Sequence, residues 1–496
     1  MNTGSPTGQP PVIPREVKIV LSVLVISAMV MILNETILSV ALPAIMSDFN
    51  VGADVAQWLT TGFMLTMAVV IPTTGFLLQR FTTKAIFLTA LSLFAVGTLV
   101  AAIAPAFSVL LGARVIQAAG TALVLPLLMT VALTVIPPER RGTVMGIIAI
   151  VISVAPAIGP TVSGFILNSL SWHWLFWVML PIALLALIAG GSIIRNIGET
   201  RTSPFDVPSV ILSAAAFGGL VYGLSSMSSI IEGEGTAAIT AIIVGVFALV
   251  GFVWRQIGLG KKDRALLDLS PFRIRNFTVS LVVVLLAMGS LLGTIMVLPI
   301  YLQTALGVSA LVTGLVVMPG GLLQGLAAPL IGRLYDAVGP RPILIPGAIL
   351  MTATVWWMTT LSTDSPTWIV VAMHICFSIG LALMMTPLMT TALGSVPAHM
   401  YSHGSAILNT LQQLAGAAGT AAMIAALSIG TGLASEAGRT TAEATATGTR
   451  SAFILAGVIA IFALIGSFFV TRVQEPVEQQ VPATADEADE GAPRAV

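Results

Sequence analysis

Long apolar runs, each closed by a short polar or charged segment, recur from residue 17 almost to the end of the chain. Most are roughly 20–28 residues long, enough for a helix to cross a bilayer core of about 30 Å. The pattern predicts about fourteen membrane-spanning helices. Their expected extents are 17–42, 54–77, 84–104, 107–134, 142–168, 173–195, 206–226, 237–257, 275–302, 310–332, 342–361, 366–394, 403–431 and 451–472. No small-residue cleavage site follows the first run, so it reads as a retained span rather than a signal peptide. Residues 1–16, rich in Pro, Gly, Ser and Thr, and residues 475–496, rich in Ala, Pro and acids, read as flexible tails.

Composition sharpens this to an all-α polytopic membrane protein. Of 496 residues, 56% are hydrophobic and 8% charged, and the mean hydropathy is +1.01. Lys plus Arg and Asp plus Glu balance at 21 each, which excludes a strongly basic nucleic-acid binder. Cys376 is the single cysteine, so no intrachain disulfide or thiol-based metal cluster is available. Charge also orients the chain. Arg15, Lys18, Arg80, Lys84, Arg140, Arg141, Arg195, Arg201, Lys261, Lys262, Arg333 and Arg341 fall in alternate loops of one face. The other face offers Arg439 and Arg450, in its longest loop, beside Asp48, Asp54, Glu232, Glu234 and Asp364. By the positive-inside rule both termini are expected in the cytoplasm of a cell-membrane protein.

An internal repeat organises the spans. Pro72-Thr-Thr-Gly75-Phe-Leu-Leu-Gln79-Arg80, closing on Lys84, matches Pro329-Leu-Ile-Gly332-Arg-Leu-Tyr-Asp336, closing on Arg341. Leu42-Pro43 likewise matches Leu298-Pro299, and the offset is about 256 residues in both cases. Six-helix halves alone would give an offset of roughly 190, so two extra helices are expected between homologous halves. The expected organisation is 6+2+6: a tail (1–16), a six-helix bundle (17–198), two inserted helices (205–258), a second six-helix bundle (272–474) and a tail (475–496).

The repeated loops resemble the signature of the major facilitator superfamily, Gly-x-Leu-x-Asp-x-x-Gly-x-Arg/Lys. The second copy keeps Asp336, Gly339 and Arg341, whereas Gln79 and Thr82 replace the Asp and Gly of the first. The resemblance implies that Gly75, Gln79, Arg80, Lys84, Gly332, Asp336 and Arg341 belong to loops gating the cytoplasmic side. Fourteen spans resemble that family's drug:proton antiporter branch. Asn34-Glu35-Thr36 followed by Ala41-Leu-Pro43, with Gln57-Trp58-Leu-Thr-Thr and Gln79-Arg-Phe-Thr-Thr, is similar to its lincomycin-resistance exporters.

Chemistry concentrates at two charges. Glu35 is the only charged residue of the first span beyond its first turn, and a carboxyl at membrane depth costs several kcal/mol unless protonated, paired or wetted. Arg114, in Arg-Val-Ile-Gln117-Ala-Ala-Gly120, is the only basic residue at depth, and resembles the family's Arg-x-x-Gln-Gly motif. Counting from the predicted outer ends puts both at about 10–12 Å. They are expected to pair in one layer, where desolvation and a fixed cation pull the acid in opposite directions. Asn34 occupies the position that is acidic in many relatives; about 100° away around the helix, it is expected to be a cavity hydrogen-bonder. Pro156, Gly159, Pro160 and Gly164 resemble the antiporter motif of the fifth helix, a kinked, close-packed seam.

Gln57, Trp58, Gln117, Tyr301, Gln303, His374, Met385, Asn409 and Gln413 are expected to line a broad substrate cavity. His399 and His403 read as a loop and helix start rather than a metal site, and Trp172-His-Trp174 as an interfacial anchor. No phosphate-binding Gly-x-x-x-x-Gly-Lys-Ser/Thr loop occurs, so ATP is not the expected energy source. The expectation is a non-enzymatic, monomeric, proton-coupled exporter of amphipathic antibiotics such as lincosamides, in contact with lipid and independent of metal or organic cofactor. A dedicated exporter of one metabolite, and a non-transporting sensor, are the alternatives.

Overall fold

Where the runs stop, local chemistry stops them. The computed structural model describes residues 14–194, 196, 206–231, 233–262 and 264–473. Most of both predicted tails, with Arg195, Arg201 and Glu232, lies outside the described residues, as do the side chains of Asp54 and Pro160. Among those described are long helices α1 (Arg15–Phe49), α2 (Trp58–Arg80), α3 (Thr83–Ala102), α4 (Phe107–Val135), α5 (Arg141–Leu167) and α6 (His173–Ile193). Then come α7 (Val207–Ser225) and α8 (Thr236–Gly260). After them follow α9 (Arg275–Ala305), α10 (Ala310–Val338), α11 (Arg341–Met358), α12 (Thr367–Gly394), α13 (Tyr401–Glu436) and α14 (Thr441–Ser467).

Twelve of these, counted over the described residues, are long and apolar enough to cross a membrane, against the fourteen expected. The two outside that count are α5 and α11; α11 has only 18 residues and opens on Arg341-Pro342. Large apolar side chains face outward, with Phe165 83%, Trp254 80% and Phe247 74% exposed. A soluble protein could not leave so much apolar surface to water. This is an all-α, multi-pass membrane protein.

Two boundaries differ from expectation. Pro43 sits inside α1, which runs on to Phe49 and stops where Asn50 turns left-handed at φ 52°. The last helix starts about ten residues earlier than its hydropathy suggests, because Thr440 and Glu443 form a reciprocal capping box. Arg450 is therefore helical rather than in a loop, and its Nε donates to the Leu361 carbonyl at 2.6 Å.

Helices α1–α6 pack largely on one another, as do α9–α14. The groups meet along two seams, α5 on α10 and α2 on α13, and the α7–α8 pair lies across the second, touching both α2 and α13. The first seam is a file of small residues. A Cβ at Gly332 would press into the Gly142 carbonyl and lie 3.1 Å from Thr143 Cα, one at Gly146 would lie 2.9 Å from Pro329 Cα, and one at Gly325 would strike Val154. Towards the other end of α5, Gly164 is exposed and its Cβ position meets nothing within 4 Å. The seam is close-packed at the face bearing the basic loops.

The α7–α8 pair is tied by charge at that basic end. Arg255 grips Asp206 with Nε at 2.8 Å and Nη2 at 2.7 Å, and the Ser209 hydroxyl donates to the same carboxylate. Gln256 donates to Ser209 at 2.7 Å and accepts from the Leu266 N–H at 2.8 Å, pinning the connector that follows α8. The Arg255 hydrogen bonds hold the Asp206 carboxyl down to about 2. A depressed carboxylate stabilises the fold above its unfolded value near 4, and that stability is lost as pH falls through about 2. Asp206→Asn should therefore melt below the wild type at neutral pH, with the gap closing between pH 4 and 2. A gap that stays constant across that window would remove the ion pair as its cause.

Candidate transport site

Four helices converge on Arg114, which is only 1% exposed. From α4 its Nη1 donates to Asn34 Oδ1 of α1 at 2.9 Å and to Gln117 Oε1 at 3.0 Å. Gln117 passes the network to α3, donating to the Thr98 hydroxyl at 2.8 Å, and Thr98 donates to its own Phe94 carbonyl at 2.6 Å. The guanidinium lies over the Phe63 ring of α2, 4.1 Å from its centroid. Gly97 makes this possible, since a Cβ there would sit 2.8 Å from both the Ala113 carbonyl and the Gln117 nitrogen. Arg114 Nε has no hydrogen-bond partner and remains an available donor.

Glu35 stands beside this shelf but is not part of it. Its side chain is half-buried, and Arg114 is the charge acting on it. Arg114 nevertheless makes no ion pair with it within 4 Å among the described residues; Asn34 and Gln117 take its hydrogens instead. The expected direct pair is thus corrected to a neighbouring pair. Asn34, expected to be a cavity hydrogen-bonder, is 2% exposed and is spent on the cation. The depth count from Leu42 used too early a helix end, yet the Asn34–Arg114 bond places both helices' polar residues in one layer. Sequence reasoning missed Thr98, one of several hydroxyls in an apolar helix and the one directly after Gly97.

Of the predicted antiporter motif, Gly159 is buried against α1, where a Cβ would lie 3.0 Å from Thr36 Cβ, one residue beyond Glu35. Helix α5 continues unbroken through Pro156 and Pro160, and Gly164 packs on nothing within 4 Å.

Of the predicted cavity residues, Asn34 and Gln117 meet at Arg114, and the others take partners on several elements. Gln57 is exposed ahead of α2, and Trp58 stacks on Tyr222 of α7 with centroids 5.8 Å apart. Tyr301 donates its hydroxyl to the Ser362 carbonyl at 2.6 Å, and Gln303 is exposed in the same π-helical turn. His374 is buried in α12 against Gly320 of α10, with Nδ1 unpartnered. Asn409 donates to its own Ser405 carbonyl at 2.8 Å and touches Met129 of α4. Gln413 and Met385 are half-buried elsewhere on α13 and α12. Side-chain type alone did not say which helix face each would take.

The gate loops do reach across the seams. Asp336 accepts from the Gly142 and Thr143 N–H groups at 2.7 and 2.8 Å, and from the Thr143 hydroxyl at 2.6 Å. It therefore caps the N-terminus of α5 from the other bundle, where an anion is favoured. Its repeat partner Gln79 donates to the His399 carbonyl at 3.1 Å, just ahead of α13. Gly75 packs on α13, its Cβ position 2.8 Å from His403 Nδ1. The two copies thus lock corresponding places, one as a charged acceptor and the other as a neutral donor. Arg80 is exposed at the end of α2 and Lys84 half-buried in the first turn of α3. Arg341 does not cross a seam; it donates to the Val470 and Phe468 carbonyls after α14, at 2.8 and 3.2 Å. Among the described residues no group of three or more His, Cys, Asp or Glu is placed to hold a metal.

Two abutting helical bundles, locked together at one face, around a buried cation and an intramembrane acid, define a polytopic carrier. The chain belongs to the Major Facilitator Superfamily, whose family model matches residues 24–420. It is 41% identical to the uncharacterized MFS-type transporter YcnB of Bacillus subtilis, over 94% of this chain and 98% of that one. It is 39% identical to the lincomycin resistance protein LmrB of the same organism, over 91% and 95%. Among solved structures it is similar to the human organic anion transporter MFSD10, with TM-score 0.63 at 14% identity, over 92% and 100% of the two chains. The proton:xylose symporter XylE gives TM-score 0.64 at 15%, over 92% and 96%. At such identities these two establish the fold alone. The protein is a membrane transporter, not an enzyme.

Asp336→Ala should shift the equilibrium away from the state locked at the basic face by at least tenfold, since even one hydrogen bond to a charged group is worth about 1.5 kcal/mol. Crosslinking of paired cysteines across the α5–α10 seam reads this out. An unchanged crosslinking ratio would mean that the glycine packing alone holds the seam.

Proposed function

We propose that this protein is a proton-coupled exporter of amphipathic toxic compounds, lincosamides among them, and that Glu35 carries the proton. The observation supporting this most directly is a half-buried carboxyl at membrane depth, next to a guanidinium fixed through its Nη1 by Asn34 and Gln117. Glu35 can then gain or lose a proton without breaking the polar network that holds α1, α3 and α4 together. An arginine stays charged throughout, so its field on Glu35 is constant while the acid's charge changes. The lincomycin-resistance relatives support the export direction and the substrate class.

In this reading fourteen helices cross the membrane as 6+2+6, over 17–198, 205–258 and 272–474, with both termini and the basic loops in the cytoplasm. The closed basic face then corresponds to an outward-facing state. From it Glu35 exchanges with external protons. Protonation weakens the hold on an amphipathic substrate, often cationic, and permits the return swing; release of the proton to the cytoplasm resets the site. The bundles rock as bodies because their seams are backbone-close files of glycine rather than interlocked side chains. A monomer contains the whole pathway, and the energy source is the proton gradient.

Proteoliposomes with an imposed pH gradient test the proposal, using a lincosamide and a dye cation as competing substrates. Glu35→Gln should abolish uphill efflux, and Glu35→Asp should keep part of it. Uphill efflux at the wild-type rate by the Gln variant would sink the mechanism. Arg114→Ala should displace the pH optimum of transport, and Arg114→Lys should restore it only in part, because a lysine cannot serve Asn34 and Gln117 from one planar fork. An unchanged profile in both variants would separate Arg114 from coupling.

A further inference from the structure

The α7–α8 pair has no counterpart in the repeat, and a cavity of about 580 Å³ opens at its basic end, between α8, the connector before α9, and α13. That volume suits a drug-sized or lipid-sized ligand. Its inner wall is apolar, formed by Phe217, Phe252, Leu267 and Ile407. Its mouth carries Lys261 and Arg273, both exposed and neither within ion-pair distance of an acid among the described residues. The exposed Lys262 and Arg264 flank it in sequence.

Two further features point to an occupant. Thr410 of α13 is only 2% exposed and lines the cavity, yet its hydroxyl has no hydrogen-bond partner. A buried hydroxyl left this way costs about 1–3 kcal/mol. The outer side of α8 next to the cavity, at Val250, Trp254 and Ile257, is exposed apolar surface, so the cavity adjoins the lipid-facing belt rather than the α5–α10 seam. Among the described residues Asp268 is the one carboxylate in the lining, and its Oδ1 is occupied by the Ser270 N–H at 2.8 Å.

We propose that this cavity binds an anionic glycerophospholipid of the adjoining leaflet, its phosphate held by Lys261 and Arg273 and an acyl chain lying in the slot against α13. The sign of the mouth argues against a cationic amphipath, and the depth of the slot against a bare anion. The inserted helices then act as a lipid-filled brace on the α2–α13 seam. The inference needs only the membrane setting that family membership gives, and stands or falls separately from the role of Glu35.

The test uses the purified full-length protein in detergent, titrated with dioleoyl phosphatidylglycerol, dioleoyl phosphatidylcholine or glycerol phosphate. Thermal stability and lipid retention in native mass spectrometry are the readouts. Phosphatidylglycerol should raise the melting temperature and stay bound, while the other two should not. Each basic side chain near a membrane surface is worth roughly 1 kcal/mol, or about fivefold, so K261Q/R273Q should weaken phosphatidylglycerol binding about 30-fold. Both residues are exposed, so the lipid-free melting temperature should not move. Ile407→Trp, which fills the slot without touching charge, should also remove retention. Equal binding of phosphatidylcholine, equal stabilisation by glycerol phosphate, or unchanged affinity in both variants would each overturn the proposal.

Discussion

A guanidinium sealed in the low-dielectric layer of a membrane protein dictates what surrounds it. Arg114 cannot shed its charge, so its neighbours must supply acceptors or the helices would not pack there. Asn34, Gln117 and Thr98 meet that demand from three helices, Phe63 adds the face of its ring from a fourth, and Gly97 clears the space for Gln117. None of these acceptors is an acid. One nitrogen of the cation, Nη1, is satisfied by dipoles, and among the described residues the acid beside it is left with no hydrogen bond to hold it. A direct salt bridge would have tied charge state to helix packing. The neutral shelf separates the two.

The seams follow a second constraint, that two bundles able to move must touch without interlocking. Gly142 against Gly332, Gly146 against Pro329 and Gly75 against α13 bring backbones together with few side chains to disengage. Specific locking is left to a few polar contacts at the closed face, where the two halves differ. Asp336 gathers three hydrogen bonds at a helix N-terminus, whereas Gln79 makes one neutral bond to a carbonyl. By the usual worth of charge-assisted against neutral bonds, the α5–α10 seam carries most of the closure.

The sequence made the scaffold legible because hydropathy and repeats act over many residues at once. Fourteen spans were expected, of which twelve are long and apolar enough among the described residues, and the repeated gate loops and the outlying Glu35 and Arg114 could also be read from it. Two other things could not. Helix ends set by a capping box, as at Thr440 and Glu443, are invisible to hydropathy. Partner choice was also hidden: Asn34 and Glu35 are adjacent in the chain, and only the rotation of α1 against α4 decides which one meets the cation. The partners taken by Trp58 and Tyr301, Tyr222 and the Ser362 carbonyl, were hidden for the same cause. A polar residue in a span must find a partner, and loops, caps and the inserted helices supplied one as readily as a cavity would.

One helix bears on both ends of this arrangement. The N-terminus of α5 is gripped by Asp336, and 17 residues further on Gly159 leans on Thr36 beside Glu35. At about 1.5 Å per residue the two places are roughly 26 Å apart along one continuous helix. In the proposed cycle, a displacement of α1 that follows a change of charge at Glu35 would meet α5 where the Thr36 side chain lies directly on the Gly159 backbone. A helix transmits such a push along its axis better than a loop does, and its far end is the strongest lock in the molecule. The wide separation of acid and gate is therefore no obstacle to coupling them, provided α5 stays helical through Pro156 and Pro160, as it does here.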